Sequence, residues 1–318
     1  MKLPTLADYQ GNARWLAAED GIRLRIASFP AKGPSRGPLL FLNGMSEFIE
    51  KHLETVGDLQ ARGFAVTTLD WLSQGLSGRA LPNRHKSHIG DFQRFLADLD
   101  LVLREAMPAG PLTLMGHSMG GHLALRLAHE WPHRVARAVL IAPMVDILLP
   151  PGTHWLVQTA AIGLSWLGLE ESYSPGAADY GEWRERFEGN VLTSDPLRFA
   201  EASAQIRFNP ELAIGGPTIG WVRAAFRSID EMRAAGYIES IQAPVLIAGA
   251  GRDALVDTEA QKTLASRLPH GRFVLFEDSL HEILRERDEI RDRFWRVFDS
   301  FVAETEEMGG KDGSQARA

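Results

Sequence analysis

The chain has 318 residues, 45% hydrophobic and 24% charged, with a formal charge of −7 and no cysteine. A chain of this length buries roughly 75% of its unfolded surface and needs no covalent staple; without cysteine it has no disulfide, no thiolate nucleophile and no cysteine metal site. The acidic balance lacks the basic face of a nucleic-acid binder, so no nucleic-acid partner is expected.

The opening "MKLPTLADYQGNARWLAAEDG" holds no apolar run of signal-peptide length. The longest apolar stretch, "HWLVQTAAIGLSWLGL" at 154–169, is interrupted by Gln158, Thr159 and Ser165. It is shorter than the roughly 20 residues that cross a bilayer. A cytoplasmic setting is expected.

In chain order, "GIRLRIASF" at 21–29 alternates apolar and polar residues, as an antiparallel edge strand would. "PLLFLNG" at 38–44 predicts a strand, 48–62 a helix, "FAVTTLD" at 64–70 a strand and 92–107 a helix. "PLTLMGHS" at 111–118 predicts the next strand and 120–131 a helix, followed by the strand "RAVLIAP" at 137–143. From 146 to 236 the rhythm stops: there is no convincing strand, several helical patterns, and Trp155, Trp166, Trp183 and Trp221. Alternation resumes with "APVLIAGAG" at 243–251, a helix at 258–268, "RFVLFED" at 272–278 and a helix at 282–302. Continuous apolar strands are buried on both faces, which implies a mostly parallel sheet; strands alternating with helices imply an α/β fold flanked by helices. The reading is a core at 1–145 and 237–303, an inserted helical cap at 146–236, and an unstructured tail at 304–318, where "EEMGGKDGSQARA" lacks apolar periodicity.

Gly116-x-Ser118-x-Gly120 follows a strand and opens a helix, the context of a nucleophile elbow. A serine hydroxyl needs a base, and the base needs an acid that holds its tautomer. The partners of such a serine follow as acid and then histidine. His117 and His122 flank the elbow, but the base is expected from a different and later loop. His281, between the last strand and the last helix, fits that place. Asp253, in "APVLIAGAGRDALVD" just past a strand end, is the preferred acid; Asp257, four residues on, is the alternative. Two backbone N–H groups must meet the oxyanion. Met119, after the nucleophile, and Met45, past Asn43-Gly44, are expected to supply them, although Asn-Gly is also an ordinary turn signal.

At these residues the chain resembles the α/β-hydrolase superfamily, and within it the monoacylglycerol lipase and lysophospholipase group of serine hydrolases. The carrying pieces are "FLNGMSEFIEKHLETVGDLQARGFAVTTLDWLSQGLSGR", "LMGHSMGGHLAL", "NVLTSDPLRFA", "APVLIAGAGRDALVD" and "SLHEI". The resemblance implies Ser118 as nucleophile, Asp253 as acid, His281 as base and the Met45 and Met119 amides as oxyanion donors. It implies a carboxylic ester with one acyl chain as substrate, and neither cofactor nor metal. Two positions depart from the family pattern: Asn43 stands where His precedes the glycine, and Ser73 replaces the first Gly of the Asp-x-x-Gly-x-Gly-x-Ser loop. Trp155, Trp166 and Leu167 recur in the cap at helical spacing. They either pack the cap on the core or line an acyl pocket, and a transient membrane-surface contact through the cap is an expectation. The rival functions are a peptidase of the same fold and a non-catalytic binding protein.

Overall fold

The computed structural model describes the backbone of residues 3–315 and the side chains of residues 3–308. Among the described residues eight strands form one sheet: β1 (Asn12–Ala17), β2 (Arg23–Phe29), β3 (Gly37–Leu42), β4 (Phe64–Leu69), β5 (Leu112–His117), β6 (Val135–Ile141), β7 (Val245–Ala250) and β8 (Gly271–Phe276). Their order is β1-β2-β4-β3-β5-β6-β7-β8. β1, β2 and β4 pair antiparallel, and every pairing from β4 to β8 is parallel. Every residue of β5 and β7 is buried, as continuous apolar runs require in a sheet covered on both faces. The covering helices are α1 (Leu53–Ala61), α2 (Gln93–Glu105), α3 (Met119–Glu130), α7 (Thr258–Arg267) and α8 (Asp288–Gln315). This is the α/β-hydrolase arrangement.

Three expectations are corrected. The 21–29 strand is antiparallel but not at the edge, because β1 covers it. Its apparent alternation misleads: Arg25 is buried, and it pairs with Asp70 at 3.0 Å and with Glu50. β1 escaped notice because only Leu16 in it is buried. The 282–302 helix is a short 3-10 turn at Ile283–Arg285 and then α8. The two are parted at Glu286, whose carboxylate accepts from the Leu280 amide at 2.8 Å and the Ser194 amide at 3.0 Å. The tail is helical as far as Gln315, with 316–318 outside the described residues. Thr305 is buried and bonds back to the Phe301 carbonyl at 2.9 Å, so the apolar face of α8 runs past 304.

Between β6 and β7 lie α4 (His154–Trp166), α5 (Pro196–Phe208) and α6 (Ile219–Arg233), and no strand among the described residues. Because the strands from β3 to β8 are parallel, the loops leaving β3, β5, β7 and β8 emerge at one edge of the sheet.

Candidate active site

The elbow between β5 and α3 turns on Ser118, whose φ is 52° and ψ −117°. A left-handed φ costs a non-glycine residue about 1–2 kcal/mol. It persists because the turn is bonded on both sides: the Ser118 amide donates to the Ile141 carbonyl at 3.0 Å, and its own carbonyl accepts from His122 and Met144. The neighbouring glycines permit close approach. A Cβ on Gly120 would lie 2.1 Å from the Leu42 carbonyl oxygen, and one on Gly116 2.5 Å from that of Gly120.

His281, in the loop after β8, bonds through Nδ1 to Asp253 Oδ2 at 2.7 Å. The other oxygen of Asp253 accepts from the Leu255 and Val256 amides at 2.8 and 3.1 Å. Burial alone would raise this carboxyl, but the His281 imidazole and these amides hold it below the usual range. The carboxylate accepts from Nδ1–H and leaves the Nε2 lone pair free. Asp257 is elsewhere: it caps α7, accepting from the Glu259 and Ala260 amides at 2.9 and 3.0 Å.

Ser118, His281 and Met45 border one cavity of about 520 Å³. Met119 is the first residue of α3, and the first amides of a helix have no intrahelical acceptor. The Asn43 side chain donates to the Leu69 carbonyl at 2.9 Å, and the Asn43 carbonyl accepts from Trp71 Nε1 at 2.9 Å. Asparagine therefore anchors this loop to the end of β4. Ser73 sits at φ 63°, a conformation free to glycine, and its hydroxyl accepts from the Ala80 amide at 3.1 Å.

Sequence reasoning missed a buried charge cluster beside this cavity. Glu47, His117 and Glu282 border it, and Lys51 bonds to Glu47 at 2.8 Å and to Glu282 at 2.5 Å. Burial would raise Glu47, yet Lys51 and His117 hold it well below the carboxylate range. The available signal was the i,i+4 spacing of Glu47 and Lys51. Their partner Glu282 is distant in sequence.

The rest of the wall is mostly hydrocarbon, and α4 contributes Val157, Ala160, Ala161 and Leu164. Trp155, Trp166 and Leu167 follow neither of the two readings, since they do not border this cavity and do not pack into the core. These side chains are 62%, 85% and 75% exposed; the two tryptophans lie on the other face of α4, and Leu167 lies just past its end. Helical spacing identified the helix correctly, but both of its faces are apolar, and periodicity cannot rank them. The "TSD" segment caps α5: Asp195 accepts from the Leu197 and Arg198 amides. The segment before it braces the loop that carries His281, since the Leu192 carbonyl accepts from the Glu282 amide at 2.8 Å.

Among the described residues no group of three or more His, Asp or Glu side chains forms a metal site, and no helix is long and apolar enough to cross a membrane. A family model described as serine aminopeptidase, S33, matches residues 33–288. Lysophospholipase L2 of Escherichia coli K12 is 28% identical over 284 residues, which cover 86% of this chain and 82% of that protein. A probable lysophospholipase L2 of Haemophilus influenzae is 28% identical over 268 residues, 83% of each chain. A soluble variant of Saccharomyces cerevisiae monoglyceride lipase, solved with a substrate analog, shares the fold with a TM-score of 0.73 at 19% identity, over 93% of this chain and 96% of that one.

Proposed function

The chain belongs to the hydrolase family described as serine aminopeptidase, S33, and on that premise we propose that it hydrolyses carboxylic esters of single-acyl-chain lipids through an acyl-enzyme on Ser118. The observation that carries the reading is the His281–Asp253 pair at 2.7 Å, whose histidine shares a hydrocarbon-walled cavity with Ser118. The relatives named lysophospholipase L2 support this substrate class.

In this reading His281 Nε2 takes the Ser118 hydroxyl proton as Oγ adds to the ester carbonyl. The Met45 and Met119 amides receive the oxyanion. Asp253 holds the Nδ1–H tautomer and stabilises the imidazolium. Collapse breaks the ester C–O bond, and the alcohol leaves with the proton from His281. Water then adds to the acyl-enzyme by the same route, releasing the fatty acid and restoring Ser118. The apolar wall favours a hydrocarbon chain over a peptide, whose backbone groups would be left unpaired there.

We assign 146–236 to a cap over the sheet edge. Its outer α4 face, with Trp155, Leu156, Trp166 and Leu167 exposed, suits transient contact with a lipid surface. A cytoplasmic setting belongs to the same reading.

Fluorophosphonate labelling tests the chemistry: Ser118 should be the modified residue, and Ser118→Ala should abolish both labelling and hydrolysis. Monoacylglycerols, lysophospholipids and aminoacyl amides of one series test the substrate. Faster cleavage of the amides would overturn the lipid-ester reading.

A further inference from the structure

His117 directly precedes Ser118 and is buried at the wall of the cavity, yet the reaction above gives it no task. Its two ring nitrogens both face acceptors. Nδ1 lies 3.2 Å from Glu47 Oε2, and Nε2 lies 3.3 Å from the His281 main-chain carbonyl. A carbonyl oxygen can only accept, so Nε2 carries a hydrogen. The Glu47 oxygen facing Nδ1 also receives the Gly44 amide and His52 Nε2, while the second oxygen receives Lys51 Nζ at 2.8 Å. Three donors other than His117 hold this carboxyl ionised, and an ionised oxygen can only accept, so the Nδ1 that faces it carries a hydrogen too. His52 is the contrast: its Nδ1 has no partner, so a neutral ring suffices there.

We propose that His117 is a buried imidazolium and a positioning residue, tying the oxyanion loop, through Glu47 and the Gly44 amide, to the main chain of the base His281. The proposal rests on the roles given above to Met45 and His281. Gly44 is part of the device, because a Cβ there would lie 2.9 Å from Glu47 Oε2 and 3.1 Å from His117 Nδ1. The charged and titratable groups around His117 are Glu47, Lys51 and His52 from the chain after β3, and His281 and Glu282 from the loop after β8. Burial disfavours the charged ring, and the Glu47 carboxylate outweighs it, so the net direction for His117 is upward. For His52 burial prevails.

Protein labelled with ¹⁵N-histidine answers the first question without any substrate. At pH 7.5 both ring nitrogens of His117, identified by their loss in His117→Gln, should be protonated. An unprotonated ring nitrogen at that pH overturns the proposal. Glutamine can donate to the His281 carbonyl but cannot at the same time keep a second ring donor toward Glu47. His117→Gln should therefore lower kcat by roughly 10²-fold, about what one oxyanion donor contributes, with KM within about 3-fold and the fold intact by circular dichroism. Glu47→Gln should do the same, and the double variant should lose little more, since the pair acts as a unit. Losses that multiply, or a KM effect with kcat unchanged, overturn the proposal. If His117→Gln does not fold, the ring protonation state in the parent protein decides, with the resonance assigned through its contact to Glu47. An active Ser118→Ala protein would overturn the underlying serine mechanism instead, leaving the protonation result to stand by itself.

Discussion

At the scale of single residues, two aspartates four positions apart do different work for reasons of geometry. Asp253 turns one oxygen to His281 and the other to two amides, whereas Asp257 spends its side chain on the first turn of α7. Asp253→Asn should lower kcat by roughly 10⁴-fold, because an amide favours the wrong tautomer. Asp257→Asn should leave kcat within about 3-fold and change stability by only a few tenths of a kcal/mol, since Asn caps a helix about as well as Asp. Steady-state kinetics on both variants check this, and a reversal of the two effects would mean the acid is Asp257. A second residue, His122, tests the electrostatics of the core. Its Nδ1 faces the Met144 carbonyl at 3.0 Å and its Nε2 the Ser228 hydroxyl at 2.7 Å, a hydroxyl that also receives Arg126. That pattern suits a neutral ring, and burial together with Arg126 pushes His122 down to about 3. The unfolded chain takes up this proton near pH 6.5, while the folded chain resists until about 3. Stability should therefore fall as pH falls through that window. Melting curves from pH 6.5 to 5, above the main carboxylate range, should show this slope in the parent protein and a flatter one in His122→Gln.

At the scale of elements, α4 has two apolar faces with different neighbours. Ala161 borders the cavity and Trp166 is exposed. Each methylene buried contributes about 0.8 kcal/mol, or 3–4-fold in kcat/KM. Ala161→Phe, which fills the cavity, should reduce kcat/KM for dodecanoyl esters by at least about 10-fold relative to butanoyl esters. Trp166→Ser should leave that chain-length slope unchanged on dispersed esters but weaken binding to lipid vesicles. A flattened slope in Trp166→Ser, with Ala161→Phe behaving normally, would return Trp166 to the pocket. The helix was legible in the sequence because its existence depends on composition and spacing over 154–169. Which face turns inward was not, because that is decided by α6 packed against it and by the cavity it walls.

At the scale of the whole molecule, the 146–236 segment assigned above to a cap is tied to the rest of the chain by charge as well as by apolar packing. Arg198 on α5 reaches Glu54 on α1 at 2.7 Å and Asp288 on α8 at 2.7 Å, and it also pairs with Asp195. Arg198→Ala should remove this three-way link, lower the melting temperature by a few degrees, and speed proteolysis within 182–195; unchanged proteolysis would show that apolar packing alone holds the cap. What the sequence by itself determined is whatever local chemistry dictates. Strand runs buried on both faces announced the parallel sheet, glycines around Ser118 announced a turn too tight for side chains, and a serine, aspartate and histidine each just past a strand end announced one shared edge. Parallel strands carry such positions to the same side whatever lies between them. What only the tertiary structure decided depends on partners far apart in the chain. Arg25 is buried because Asp70 and Glu50 meet its charge. The inner face of α4 is known only from what covers it. The cluster joining Glu47, Lys51, His117 and Glu282 spans more than half the chain, and no local pattern signals a charge whose stabilising partner arrives from a different loop.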